Sequence, residues 1–155
     1  MPGKSTSTAV GGTPNDEASS DGSRNHTLRI VFGPCSQAGE GTTLSGFFTA
    51  EQAKNGERIF QSRCAACHGS DLRATDPEVP DLTDDGFKYG WVGKTVANRF
   101  RNIRTAMPAG APGSLDDQTY IDIVAYILQF NGMPPGNQKL MPEVEALEKI
   151  VIAGP

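Results

Sequence analysis

The sequence predicts an all-α fold preceded by a disordered tail. Three segments beyond residue 45 carry apolar residues at helical spacing and begin at residues that can cap a helix. Residues 1–45, in contrast, are rich in Gly, Ser and Thr and lack helical periodicity; only residues 28–32 resemble a short strand. We therefore expect a disordered tail over residues 1–45 and one helical domain over residues 46–155.

The first helix is predicted to begin at Thr49. Thr49 can cap it, and Gln52 three residues later completes a capping box. Gly56 and Phe60 lie on one face of this helix, which runs into the segment 64–68. Residues 69–90 contain several Pro and Gly residues and are expected to form a loop.

The second helix is predicted over about residues 92–104, followed by a Gly/Pro-rich loop over residues 107–113. The third helix begins after Ser114, with Asp117 completing a capping box, and ends near Asn131. It is apolar on most sides, so we expect it to be buried on most sides. A large apolar cofactor would account for so much apolar surface in a domain of this size. A short helix near residues 143–148 and an edge strand at residues 150–152 close the chain.

Composition excludes several classes of protein. A net charge of −4 argues against a general nucleic-acid binder, and no apolar run approaches the roughly 20 residues that span a bilayer. Three cysteines make a disulfide framework unlikely as the organiser of the fold, and Cys35 is expected to be an incidental thiol. No export signal is visible at the N-terminus.

The segment from Cys64 to His68 reads Cys-Ala-Ala-Cys-His, the attachment signature of c-type haem. Cys64 and Cys67 are spaced so that each thiol can add to one haem vinyl group, and His68 can then ligate the iron. The sequence thus predicts one covalent haem c. The alternatives are a thioredoxin-like dithiol, which lacks its βαβ context here, and a zinc site, for which only Cys35 and His26 remain as further ligands.

The sixth iron ligand is expected to be a methionine, because His26 lies in the tail. The candidates are Met107, Met133 and Met141, each followed by proline. Met107 is favoured because it lies in a Gly/Pro-rich loop between two helices, where the backbone can approach a haem face. The predicted metal ligands are therefore His68 and Met107.

These residues resemble the class I, monohaem cytochromes c over about residues 47–132. In that family the first and last helices cross closely at a glycine and an aromatic residue, and Gly56 and Phe60 match those positions. By resemblance, the Pro80 carbonyl accepts the Nδ1 hydrogen of His68. Trp91 likewise matches the family's buried residue that bonds a haem propionate. The implied fold is three main helices around one haem.

The final helix and the residues around it resemble cytochrome modules found with quinoprotein (PQQ) dehydrogenases. This resemblance implies a periplasmic or other extracytoplasmic electron carrier rather than an enzyme. The implied partners are redox proteins: a PQQ dehydrogenase as donor, and a terminal oxidase or another cytochrome as acceptor. A cluster of basic residues could balance haem propionates or dock a partner; it comprises Lys94, Arg99, Arg101 and Arg104. The alternative function is a haem-based catalyst or gas sensor, either of which needs an open or labile sixth iron site.

Overall fold

Six α-helices and two short strands make up residues 41–154, the part of the chain that the computed structural model describes. The strands are β1 (Gly41–Thr42) and β2 (Ile150–Val151), and a 3-10 turn (Thr43–Ser45) follows β1. The helices are α1 (Ala50–Arg63), α2 (Ala65–His68), α3 (Asp84–Gly90), α4 (Val96–Ala106), α5 (Asp117–Phe130) and α6 (Val144–Leu147). The three long helices α1, α4 and α5 correspond to the three predicted ones, so the all-α prediction is confirmed.

Side-chain caps fix where the long helices begin. Thr49 accepts a hydrogen bond from the Gln52 backbone N–H at 3.1 Å, which confirms the predicted start of α1. For α5 the predicted cap, Ser114, is wrong: Asp116 caps the helix by accepting from the Thr119 backbone N–H at 2.9 Å. The Ser114 backbone N–H bonds instead to the Ala111 carbonyl in the preceding turn, so Ser114 is held outside the helix.

Helix α3 lies within the segment that the sequence predicted to be a loop. Two glycines, Gly86 and Gly90, lower its intrinsic helix propensity and so conceal it from pattern analysis. Gly86 is required by a tertiary contact, because a Cβ atom there would lie 2.1 Å from the Asp81 carbonyl oxygen. Close packing of the chain, rather than local propensity, decides the residue at this position.

Helices α1 and α5 cross at the centre of the fold. Gly56 of α1 packs against the α5 backbone, and the Phe60 ring lies 5.4 Å from the Tyr126 ring. Helix α5 is buried on nearly all sides from Tyr120 to Leu128, as predicted from its apolar sequence. The core therefore forms around α5, with α1 and α4 packed against it.

The residues just before α1 pair with the C-terminal segment. Gly41 and Thr42 of β1 run parallel to Ile150 and Val151 of β2. The buried Thr43 hydroxyl accepts from the Ala153 backbone N–H at 3.1 Å. The predicted boundary of the disordered tail, residue 45, therefore lies too far along the chain. Residues 41–45 are ordered by hydrogen bonds and burial that their own sequence does not indicate.

The remaining predictions for the N-terminal segment, including those on His26, on Cys35 and on residues 28–32, lie outside the described residues. Within residues 41–154, the longest helices have 14 residues, and no helix is long and apolar enough to cross a membrane.

Candidate haem site

All six residues that the sequence put forward for the site line one cavity of about 680 Å³. They are Cys64, Cys67, His68, Pro80, Trp91 and Met107. This volume falls in the range typical of pockets for cofactors and other small molecules. Apolar side chains from the helix crossing, including Phe60, Ile123 and Ile127, form much of the remaining wall. The site is thus built directly on the core between α1 and α5.

The cysteines and the histidine lie on one short helical turn. Helix α1 ends at Arg63, Cys64 lies between α1 and α2, and α2 then carries Cys67 and His68 in a single turn. Gly69 ends this turn with a φ of 76°, in a position where a Cβ atom would lie 2.1 Å from the Arg73 carbonyl oxygen. Cys64 is half-buried and Cys67 is exposed, so one thiol lies in the interior of the cavity and the other at its opening.

The thiols do not have the features of a dithiol redox centre. Burial, with a contribution from the neighbouring Cys67, raises the pKa of the Cys64 thiol to about 11. Redox-active Cys-x-x-Cys motifs instead lower the pKa of one thiol to stabilise the thiolate. Among residues 41–154 there is no group of three or more His, Cys, Asp or Glu side chains that could hold a metal ion; the further zinc ligands that the sequence offered, Cys35 and His26, lie outside these residues.

The imidazole of His68 is held in one orientation. Its Nδ1 atom lies 3.1 Å from the Pro80 carbonyl oxygen, and the side chain is 9% exposed. Because a carbonyl can only accept, Nδ1 carries the hydrogen, and Nε2 is left with its lone pair for a ligand. The contact expected from the resemblance is therefore present. Hydrogen bonds of this kind fix the tautomer and the ring direction of metal-bound histidines.

Of the three candidate methionines, Met107 lines the cavity, immediately after α4. Met133 is buried elsewhere in the core, where its sulfur accepts a hydrogen bond from the Thr43 hydroxyl at 3.0 Å. Met141 is 46% exposed and is not part of the cavity wall. The structure thus brings Met107, and neither of the other two, together with His68.

Trp91 and Arg99 both line the cavity. Trp91 is buried and stacks on Phe87, with ring centroids 5.6 Å apart. Arg99 is half-buried, and burial lowers its pKa. Its guanidinium donates to the side-chain oxygen of Asn98, and no ion pair involves it in the described part of the chain. A half-buried cation without a carboxylate partner suits an anionic group in the cavity.

The other three members of the predicted basic cluster lie outside the cavity wall, and Lys94 is exposed. Arg101 pairs with Glu148 and Arg104 pairs with Asp117, each at 2.6 Å on the surface. The sequence alone does not divide the cluster, because both partners come from outside α4. Nor does it reveal the role of Tyr120, whose place in an apolar stripe gives no sign that its hydroxyl bonds to the Met107 carbonyl at 2.8 Å.

The donor set fits a covalently attached haem. Two thiols three residues apart, an imidazole with a free Nε2 and a thioether meet in one largely apolar cavity, and Arg99 provides a cation for the propionates. A bare metal ion would not need a cavity of this size.

Comparison with known proteins agrees with this fit. Residues 51–127 match the family model described as "Cytochrome C oxidase, cbb3-type, subunit III". The chain is 33% identical over 94 residues to the cbb3-type cytochrome c oxidase subunit FixP of Bradyrhizobium sp. (strain ORS 278), a match that covers 58% of this chain and 32% of FixP. This chain therefore spans only about a third of the length of that subunit. No solved structure gives a significant match.

Two smaller relatives match over most of their length. Cytochrome c-551 of Bacillus subtilis (strain 168) is 32% identical over 85 residues, which cover 54% of this chain and 72% of the relative. Cytochrome c6 of Bumilleriopsis filiformis is 35% identical over 77 residues, which cover 48% of this chain and 87% of the relative. Together with a helix crossing and a cavity that suit the cofactor, these matches show that the chain belongs to the cytochrome c family and carries covalently bound haem c as an electron-transfer domain.

Proposed function

We propose that the chain carries single electrons on one haem, attached through thioethers to Cys64 and Cys67 and ligated by His68 and Met107. The observation that carries this proposal is that the cavity of about 680 Å³ collects both cysteines, an oriented imidazole and one of three candidate methionines. When bound, the haem supplies a one-electron iron couple. The residues around it determine its ligation, its potential and its exposure.

Each residue has a separate part in this proposal. The Pro80 carbonyl holds the hydrogen of His68 on Nδ1 and fixes the direction of the ring, so that the Nε2 lone pair is available to the iron. Met107 supplies a neutral thioether, which favours a higher reduction potential than a second imidazole would. Arg99 and Trp91, both on the cavity wall, would hold the propionates. With His68 and Met107 both available to hold the iron, the haem would accept and give up an electron without a change of ligand.

The cavity opening gives the route for the electron. Cys67, Ala109 and Gly110 line the cavity and are exposed, so they form its rim. These small, uncharged residues allow a partner to approach the haem edge closely and to leave again, as transient redox complexes require.

We place the carrier in the periplasm or another extracytoplasmic compartment, where c-type haem is attached. As partners we propose a terminal oxidase and a dehydrogenase. Similarity to an oxidase subunit supports the first partner. The final-helix resemblance to modules of quinoprotein (PQQ) dehydrogenases supports the second. Mixing the reduced protein with a purified cbb3-type oxidase, and the oxidised protein with a reduced PQQ dehydrogenase, tests the two ends of this chain of transfer separately.

The ligation is tested with Met107→Leu in protein produced with haem-maturation factors. We expect one covalent haem per chain by mass spectrometry, and a weak far-red charge-transfer band in the ferric wild type that Met107→Leu abolishes. Met133→Leu is the matched control, because it removes a buried thioether outside the cavity and should leave the band unchanged. A wild-type protein without this band that binds carbon monoxide readily would instead favour the catalyst or gas-sensor alternative.

A further inference from the structure

The hydroxyl of Tyr120 connects the two ends of the loop that contains Met107. Tyr120 is fully buried in the first turns of α5. Its hydroxyl donates to the Met107 carbonyl oxygen at 2.8 Å and accepts from the Leu115 backbone N–H at 3.4 Å. The Tyr120 oxygen thus links Met107, at the start of the loop, and Leu115, near its end, to helix α5.

The rest of this loop has few other constraints. Residues 109–114 are exposed, and short-range turns hold them, such as the bond from the Ala111 N–H to the Pro108 carbonyl at 2.8 Å. The Met107 backbone N–H bonds to the Ile103 carbonyl at 2.8 Å and so fixes the end of α4. This bond does not constrain the Met107 carbonyl, which depends on the Tyr120 hydroxyl. Arg104 and Asp117 bridge the same gap at the surface, where both side chains are about half exposed. Solvent-exposed pairs of this kind contribute little.

We infer that Tyr120 is a positioning residue for Met107, which holds the backbone from which the thioether reaches the iron. This inference rests on the proposed function, because it takes Met107 as an iron ligand. The Tyr120 hydroxyl anchors the backbone at Met107, and without this bond the Cα atom that bears the thioether side chain could shift with the loop. The Tyr120 hydroxyl therefore keeps the thioether in place against competing ligands.

The test is an imidazole titration of the ferric holoprotein. The loss of the far-red methionine band reports how much Met107 the imidazole has displaced. In Tyr120→Phe, which removes one oxygen atom and keeps the ring, we expect imidazole to displace Met107 with about 5- to 10-fold higher apparent affinity, the usual net effect of one hydrogen bond. The reduction potential should fall as well, since weaker methionine ligation favours the ferric state. Arg104→Gln is the control: it breaks the surface bridge across the same gap and should change neither quantity.

The outcomes separate the inference from the proposed function. If the wild type shows the methionine band and Tyr120→Phe has the same imidazole affinity and reduction potential as the wild type, the inference is overturned and the proposed ligation stands. A fall in urea stability alone, with both haem readouts unchanged, would also overturn it, because Tyr120 would then be purely structural. A wild type without the band would overturn both. Higher imidazole affinity in Tyr120→Phe, with Arg104→Gln unchanged, would support the positioning role.

Discussion

Gly56 lies against the backbone of Asp122 where α1 and α5 cross. A Cβ atom at position 56 would lie 1.8 Å from the Asp122 carbonyl oxygen and 3.0 Å from the Ile123 backbone nitrogen. Backbone atoms within a helix cannot rotate away as a flexible side chain can. The two helices therefore approach to a distance that only glycine allows, and this approach sets the position of Phe60 on the cavity wall.

Gly56→Ala should destabilise the protein by about 2–3 kcal/mol, because the added methyl group forces the two helices apart. Urea unfolding of the ferric holoprotein measures this effect. Gly154→Ala is the control, since a Cβ atom there lies outside the cavity wall and meets only the Val92 side chain, at 3.9 Å. That variant should be unchanged or up to about 1 kcal/mol more stable. Equal stability of Gly56→Ala and wild type would show that the crossing tolerates a larger separation.

The cap of α5 should make stability depend on acid pH. Hydrogen bonds from the Thr119 hydroxyl and the Thr119 backbone N–H lower the pKa of the Asp116 carboxyl in the folded state. Its contribution is therefore full above the unfolded pKa of about 3.9 and is lost as the pH falls through the lower, folded pKa. Asp116→Ala should cost about 1 kcal/mol near pH 7, and the difference from wild type should shrink below about pH 4.

Asp116→Asn is the control for this pH dependence, because asparagine caps helices about as well and does not titrate. Its advantage over Asp116→Ala should stay constant as the pH falls. Urea unfolding at several pH values measures all three proteins. A wild-type advantage over Asp116→Ala that persists undiminished at about pH 2 would contradict the assignment of the cap to the ionised carboxylate.

Replacing Arg99 should lower the reduction potential. Its half-buried guanidinium lines the cavity without an ion-pair partner in the part of the chain described. This positive charge should stabilise the negative propionates and, because a reduced iron carries one positive charge less, should also stabilise the reduced form of the haem. We expect Arg99→Gln to lower the potential by about 30–60 mV, which for a one-electron couple is a 3- to 10-fold change in the equilibrium constant. Redox titration measures it.

Arg101→Gln serves as the control for Arg99, because Arg101 is paired with Glu148 on the surface and lies outside the cavity wall. The reduction potential of Arg101→Gln should differ from that of the wild type by only about a few millivolts, since water and salt screen exposed charges. Equal shifts in the two variants would mean that net charge, and not contact with the propionates, causes the effect.

Chain produced without haem attachment should lose its fixed tertiary packing. A cavity of about 680 Å³ lined largely by apolar side chains loses its packing contacts when it is empty, and a typical domain has only about 5–15 kcal/mol of stability to lose. We expect far-UV circular dichroism to retain helix, near-UV circular dichroism to be lost and a hydrophobic dye to bind. A cooperative unfolding transition with a native near-UV spectrum would contradict this expectation.

Local sequence specifies the chemistry and most of the secondary structure of this protein. Cys64, Cys67 and His68 form a contiguous motif, and the cap at Thr49 and the apolar pattern of α5 depend on residues three or four positions apart. A helical turn brings such residues together whatever the rest of the chain does. The all-α fold and the covalent haem could therefore be predicted from the amino-acid sequence.

Contacts between residues far apart in the chain specify the rest. The tertiary structure places Met107 in the cavity and Met133 beside Thr43, although both methionines precede a proline. It also pairs residues 41–42 with the C-terminal strand, and Arg101 with Glu148. These outcomes depend on which surfaces meet when α1 crosses α5. Local sequence cannot encode them, because the energy that selects them comes from burial and hydrogen bonds between distant segments.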